Sequence, residues 1–365
     1  MSVPSTKFPV AIVGGGLAGL VAARRLHQAG IGFVLLEARN RLGGRILSAD
    51  ASGQASPDGF DLGPSWVWPA MQPAMGSLIN ELALPVFPQH SDGDMVFERS
   101  LGEGAQRYGG MAQQPPSIRI AGGTAALVSA VAAALPAGSI HVNARVRQIE
   151  RKAPGVALTL ADGEIISAAH AVLALPPRLL EASVSFAPAL PSTIAALWRD
   201  TPTWMAPHAK FFAVYDRAFW REKNLSGDAQ SMVGPLVEIH DATTASGTPA
   251  LFGFLGVPAA QRASVPRDTI VNACVNQLAR LFGPDAASPR ATLYKDWSAD
   301  PLTSTALDQA GGEHPVPGTT PWITGEWADR ITLAGSETSL ADPGYLSGAV
   351  EAGERAAKAI ATLAQ

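Results

Sequence analysis

The run Gly14-Gly15-Gly16-Leu17-Ala18-Gly19 constrains the fold of this chain more than any other feature. It directly follows the β-branched run 10–13. It also opens a segment, Leu17–Gln28, whose apolar residues Leu17, Leu20, Ala23 and Leu26 recur at helical spacing. Gly30 ends that segment, and a second apolar run, Phe33–Leu36, leads to Glu37. Strand, glycine turn, helix and strand make a βαβ unit with parallel, buried strands. In that setting G-x-G-x-x-G signals a dinucleotide site. Gly14 permits the tight turn, Gly16 lets the backbone approach a pyrophosphate, and Gly19 lets the helix pack close to the sheet. The helix N-terminus presents free N–H groups and the positive end of its dipole to phosphates. Glu37 lies 23 residues after Gly14, where a carboxylate accepts hydrogen bonds from a ribose diol.

Composition limits what this unit can belong to. At roughly 150 residues per domain, 365 residues suggest two domains. The balance of 27 basic and 31 acidic residues leaves no electrostatic footprint for nucleic acid or an anionic membrane. Charged residues are only 16% of the chain, which leaves surface for subunit contacts, so a homo-oligomer is one expectation. Cys274 is the single cysteine; it excludes an intrachain disulfide and suits a reducing compartment. Residues 1–7 carry no leader-like apolar core, and no stretch reaches the roughly 18 apolar residues of a membrane helix. A cytoplasmic location is expected. The seven histidines show no ligand spacing, and neither H-E-x-x-H nor C-x-x-C occurs, so no metal site is expected. His208 and His240 could enter a substrate cavity, but a surface role is the plainer reading.

Along the chain, residues 64–116 lose periodicity to prolines, tryptophans and glycines, which marks the first visit to a second domain. A helix is expected from Thr124. Strands are expected over 141–150, 155–160, 164–168 and 171–175, then over 208–215, 231–239, 250–255 and 290–297. A helix over 268–282 buries Cys274, and a last strand over 331–335 precedes a long helix over 345–363. The expected architecture is α/β: a two-domain, Rossmann-like dinucleotide fold with an interleaved α+β substrate domain on a mixed sheet. Residues 1–65, 119–188 and 298–365 form the first domain, and 66–118 and 189–297 the second.

A second glycine pair, Arg41-Leu42-Gly43-Gly44-Arg45, follows Glu37 and Arg39. It offers another backbone approach to phosphates, with arginine donors beside it. Further motifs come in order: Asp61-Leu62-Gly63-Pro64-Ser65-Trp66, Ala121-Gly122-Gly123-Thr124, Ala174-Leu175-Pro176-Pro177, Ala334-Gly335-Ser336-Glu337-Thr338 and Gly344-Tyr345-Leu346-Ser347-Gly348. Together they make the chain, from Val10 to about Ala361, resemble the flavin-containing amine oxidase superfamily of monoamine oxidases, polyamine oxidases and flavin histone demethylases.

That resemblance implies bound FAD. Gly14, Gly16, Gly19, Glu37, Arg39, Gly43, Gly44, Arg45, Gly63, Val146, Trp297, Gly335, Glu337 and Leu346 would hold it. Val146 would contact adenine through its backbone, and the N–H of Leu346 would face the flavin. Lys210 stands in an apolar run followed by Tyr215-Asp216-Arg217-Ala218-Phe219-Trp220, as the family lysine does, and would hold a water near flavin N5. On its own, that lysine also reads as an edge-strand residue reaching for water. Tyr345 matches one wall of the family's aromatic pair. Leu307, ten residues after Trp297, stands where the family commonly has tyrosine, so the cage looks half-built. Residue 306 is alanine, not the flavin-bearing cysteine of monoamine oxidases, which implies non-covalent FAD. The stretch 66–118 is also short for the family.

The implied activity is amine oxidation. Hydride passes from the amine Cα to flavin N5, the imine leaves, and O2 reoxidises the flavin to give H2O2. The implied partners are a small-molecule amine and O2. Two other readings stay open: a desaturase or dehydrogenase of the same fold, and a non-catalytic flavoprotein.

Overall fold

The runs 10–13 and 33–36 become strands because both of their faces can be buried. The computed structural model describes residues 7–56, 58–110, 114–311 and 313–363; residues 1–6 of the segment read as lacking a leader lie outside them. Lys7–Val13 runs through the middle of an eight-stranded sheet. Phe33–Leu36 pairs with it in parallel on one side, and Ile165–Leu173 in parallel on the other. Ile140–His141 extends the sheet beyond Phe33–Leu36, and Ile331–Leu333 pairs in parallel with Ile165–Leu173. Gly155–Leu160 and Val146–Lys152 continue it antiparallel, and Ser185–Ala187 closes that edge.

Alternation along the central strand sends Val10 and Ile12 to one face and Ala11 and Val13 to the other. The first face packs against Leu17–Gln28, Thr124–Ala133 and the C-terminal helix Leu346–Leu363. Two of these helices touch backbone to backbone: a Cβ on Gly353 would lie 2.4 Å from the Ala18 carbonyl oxygen. Segments read as part of the second domain also contribute to these cores. The helix Pro73–Glu81 adds Met75, Leu78 and Ile79 to the first face, and Ser192–Asp200 adds Ile194 and Trp198 to the second.

The second sheet has seven strands in the order Ala291–Asp296, Ala209–Val214, Ala250–Leu255, Leu236–Asp241, Leu225–Ser231, Asp94–Glu98 and Ala105–Tyr108. It is mixed: among the described residues only Leu225–Ser231 and Asp94–Glu98 pair in parallel. The helix Arg267–Phe282 covers it with Ile270, Cys274, Leu278 and Leu281, and Cys274 is fully buried.

Local strand expectations differ in four places. The stretch 141–150 splits into Ile140–His141 and Val146–Lys152, which pair with different neighbours. The stretch 231–239 is broken: residues 232–235 turn between Leu225–Ser231 and Leu236–Asp241, because Ser231 Oγ accepts the N–H groups of Val233 and Gly234 and Pro235 has no N–H. The stretches 164–168 and 171–175 merge into the single strand Ile165–Leu173. Asp94–Glu98 and Ala105–Tyr108 are strands in a region with no visible period, the latter an exposed edge. No helix among the described residues is long and apolar enough to cross a membrane.

Candidate active site

Two glycine loops meet at the carboxyl end of the central strand. The Gly43 N–H donates to the Gly15 carbonyl at 2.8 Å, and Gly16 and Gly43 form a parallel bridge. Gly14 has φ +105°, and a Cβ there would lie 2.7 Å from the Ala174 carbonyl oxygen. On Gly19 a Cβ would lie 2.0 Å from the Gly14 oxygen, so this residue serves helix packing. Gly16 differs. A Cβ there would meet nothing within 4 Å, because the residue borders a cavity of about 860 Å³.

One part of the cavity wall is Glu37, Arg39 and Val146. Glu37 is buried at the end of Phe33–Leu36. Its Oε2 accepts the Gly15 N–H and its Oε1 the Arg39 N–H, both at 2.7 Å. Each oxygen keeps a lone pair for a ribose hydroxyl. Arg39 is held by Asp300 at 2.9 and 3.0 Å and by Thr303 Oγ1 at 2.9 Å. Arg41 turns inward, donating to the carbonyls of Leu42, Gly44 and Ile46, so it braces the glycine loop and does not face phosphates.

A second part of the wall holds Gly14, Gly16, Gly43, Gly44, Arg45, Gly63, Gly335, Glu337 and Leu346. Arg45 donates to the Trp204 carbonyl and Ser336 Oγ, and pairs with the fully buried Glu337 carboxylate at 2.8 Å. Gly63 and Gly335 press against backbone: Cβ atoms there would lie 2.0 Å from the Arg45 oxygen and 2.3 Å from the Leu175 oxygen. Leu346 starts the 18-residue C-terminal helix, so its first N–H groups open at the cavity. Open space at Gly16, a helix start and a diol-accepting carboxylate on one cavity fit a dinucleotide.

The remaining wall carries Trp66, Trp204, Met205, His208, Lys210, Glu238, Phe254, Trp297 and Tyr345. Lys210 is buried, and its strand lies between two others, so it is no edge residue reaching for water. Its Nζ donates to the Asp61 carbonyl at 3.1 Å, the Gly63 carbonyl at 2.6 Å and Ser65 Oγ at 2.8 Å. It also lies 4.6 Å and 5.1 Å from the ring centroids of Phe252 and Phe254. Burial lowers its pKa to about 7, with Asp61 opposing and Arg119 adding to the shift. The Trp297 indole N–H donates to the Leu62 carbonyl at 2.9 Å, which fixes the same segment.

Tyr345 lines the cavity, but Leu307 does not join it. Leu307 is 52% exposed on the turn Ala306–Ala310, whose Gln309 and Ala310 line the cavity instead. The position ten residues after Trp297 falls on the wrong side of that short helical turn. Rings from elsewhere stand beside Tyr345: the His314 ring is 4.9 Å from Tyr345 and 4.6 Å from Trp204, and Trp204 is 5.9 Å from His208. A Cβ on Gly344 would lie 2.7 Å from the Trp204 Cβ. Trp204 sits in an irregular stretch before the strand and shows no period, so sequence reading passed over it.

Neither His208 nor His240 is a plain surface residue. His208 lines the cavity just before the strand Ala209–Val214 that carries Lys210. Burial and the nearby Arg262 charge lower its pKa. His240 is buried behind the wall, with Nδ1 2.8 Å from Asp228 Oδ1 and Nε2 2.7 Å from Glu238 Oε1. Burial alone would lower its pKa, but the two carboxylates outweigh burial and hold it up at about 9. No group of three or more metal-ligating side chains occurs among the described residues.

A Mycobacterium tuberculosis protein named provisionally as a flavin-containing monoamine oxidase is 28% identical over 464 aligned positions, which take in 99% of this chain and 98% of the relative. The relative therefore carries insertions that this 365-residue chain lacks. A putrescine oxidase solved with putrescine bound superposes with a TM-score of 0.82 at 21% identity, covering 99% of this chain and 100% of that one. Cyclohexylamine oxidase from Brevibacterium oxydans gives 0.81 at 22% identity, covering 98% and 100%. At these identities the two structures show the shared fold. The profile of the flavin-containing amine oxidoreductases matches residues 17–115 and 100–361. The chain belongs to that family and is a flavin-dependent oxidoreductase.

Proposed function

We propose that the protein oxidises amines with FAD held non-covalently. The observation that carries this reading is the single cavity. It joins the Glu37 and Val146 wall, the glycine loops and the Lys210–Tyr345 wall without interruption. Glu37 would hold the adenosine ribose, and Gly16 and the start of the C-terminal helix the pyrophosphate and flavin. Bound FAD supplies the acceptor for hydride from the amine Cα, and O2 carries the electrons on to H2O2. The one cysteine lies in the core of the second sheet, away from the cavity, which supports a flavin without a thioether link.

The protein's own part is binding and geometry. Tyr345 and Trp204 would offer ring faces to the amine. His208, uncharged beside them, would accept a proton or hydrogen bond from the amine nitrogen. Lys210 would fix the Asp61–Ser65 segment and polarise the site from behind. The names of the solved relatives, putrescine and cyclohexylamine oxidases, support an amine as the substrate. The single cysteine supports a reducing, cytoplasmic setting. Anaerobic bleaching of the yellow protein by a panel of amines, amino acids and polyamines tests the reading, followed by peroxide release on admitting air. A flavin that no amine bleaches would overturn it.

A further inference from the structure

The cavity wall holds a carboxylate that the steps above do not use. Glu238 lies on Leu236–Asp241, and its side chain is 47% exposed. Its Oε1 accepts a hydrogen bond from His240 at 2.7 Å, and among the described residues that is its only ion pair. The other oxygen is left for the cavity. Behind it, His240 is clamped by Asp228 at 2.8 Å and by the edge of Trp66, whose ring lies 4.8 Å away. The clamp fixes the direction of the Glu238 carboxylate. Two carboxylates and one imidazolium leave a net charge of about −1 on the group.

The register of the sheet sets where that charge lies. Lys210 and Glu238 both stand opposite Phe254, from the strands on its two sides. Residues directly opposite each other share a face, so Lys210, Phe254 and Glu238 form one row along the cavity. Two strand spacings put the Lys210 and Glu238 backbones roughly 10 Å apart, with an aromatic ring between them. Lys210 cannot serve as the cation for Glu238, because its ammonium is turned to the Asp61–Ser65 segment. Arg262 is taken by Asp296 at 2.7 Å.

We infer that Glu238, oriented by His240, binds a second positive charge on the substrate, so that the preferred amines carry a cationic group at the far end of an apolar chain. The chain lies over Phe254, the reacting amine reaches the Tyr345 corner, and the distal ammonium meets the free Glu238 oxygen. This inference rests on the amine-oxidising reading, and its test separates the two.

The holoenzyme is titrated anaerobically with terminal diamines of increasing length and with n-alkyl monoamines of matching length. The dependence of the bleaching rate on concentration yields Kd and the limiting rate separately. The parent is expected to bind diamines of one length on the order of tenfold more tightly than the matched monoamine, the strength of a hydrogen bond to a charged group. Glu238→Gln keeps an acceptor for His240 and should erase that preference, with monoamine binding changed less than about twofold. Calorimetry with a bis-quaternary and a mono-quaternary alkylammonium reads the same anion without turnover, since a quaternary nitrogen has no lone pair to oxidise. Monoamines that bleach the flavin as well as diamines do would overturn the inference and leave amine oxidation standing. An unchanged diamine preference in Glu238→Gln would also overturn it. Failure of every amine to bleach would instead reject the amine-oxidising reading.

Discussion

The Arg45 guanidinium and the Glu337 carboxylate, 292 residues apart in the chain, form a 2.8 Å ion pair on the cavity wall. The pair ties the second glycine loop to the C-terminal motif, and Ser336 and the Trp204 carbonyl share the same guanidinium. Glu337 is fully buried, so removing its partner strands a charge. Arg45→Met should lower the unfolding free energy by about 3 kcal/mol and weaken flavin retention. Urea unfolding checks this, and a loss below about 1 kcal/mol would mark the pair as a solvated contact.

Gly16 and Gly19 should respond in opposite ways. Space is open at Gly16, whereas Gly19 is pressed on backbone. Gly16→Leu should fold with a melting temperature near that of flavin-stripped parent, yet purify colourless. Gly19→Leu should fail to fold. Acid treatment of the parent should release its flavin intact; flavin that stays with the precipitate would reveal a covalent link.

Lys210 has a structural task as well as a proposed place beside the reaction. Lys210→Met leaves the Asp61 and Gly63 carbonyls and Ser65 Oγ without their donor. Unfolding free energy should fall by about 3 kcal/mol. Flavin reoxidation by O2, followed by stopped flow, should also slow strongly. A stability loss with an unchanged reoxidation rate would confine the residue to holding its segment.

Leu307 lies outside the cavity, and Trp204 lines it. Leu307→Tyr should therefore leave the ratio of kcat/KM for a short alkylamine and an arylalkylamine unchanged. Trp204→Leu should lower kcat/KM for the short amine by on the order of a hundredfold, since misplacement by about an ångström can cost that much. A shift in Leu307→Tyr with none in Trp204→Leu would restore the original position as the missing wall.

His240 predicts a pH dependence of stability. Its folded pKa, about 9, lies above the ordinary histidine value of about 6.5. The unfolded chain releases this proton first as pH rises, so the contribution is complete below about pH 6.5 and is lost as pH climbs through about 9. His240→Gln should flatten the fall in melting temperature across that window. A parent whose stability is level from pH 6.5 to 9 would show that the clamp carries no charge.

Sequence by itself determined the parts whose physics is local. The glycine spacing and the apolar runs set the strand, turn and helix from Lys7 to Leu36, because tight turns and period-two burial need only neighbouring residues. Glu37 follows from the same count, and the ordered motifs identified the family. Tertiary structure decided the rest. Leu307 was misplaced because spacing from Trp297 holds only if the turn between them keeps its length and hand. Glu238 and the Asp228–His240 clamp behind it were invisible because they meet through pairing across strands, and no period along one strand records its partner; Trp204 lies in a turn, which has no period. Lys210 was legible as an unusual lysine, but two of its three acceptors are the Asp61 and Gly63 carbonyls, almost 150 positions away. Backbone oxygens carry no sequence signature, so only the packed fold reveals which of them a buried ammonium meets.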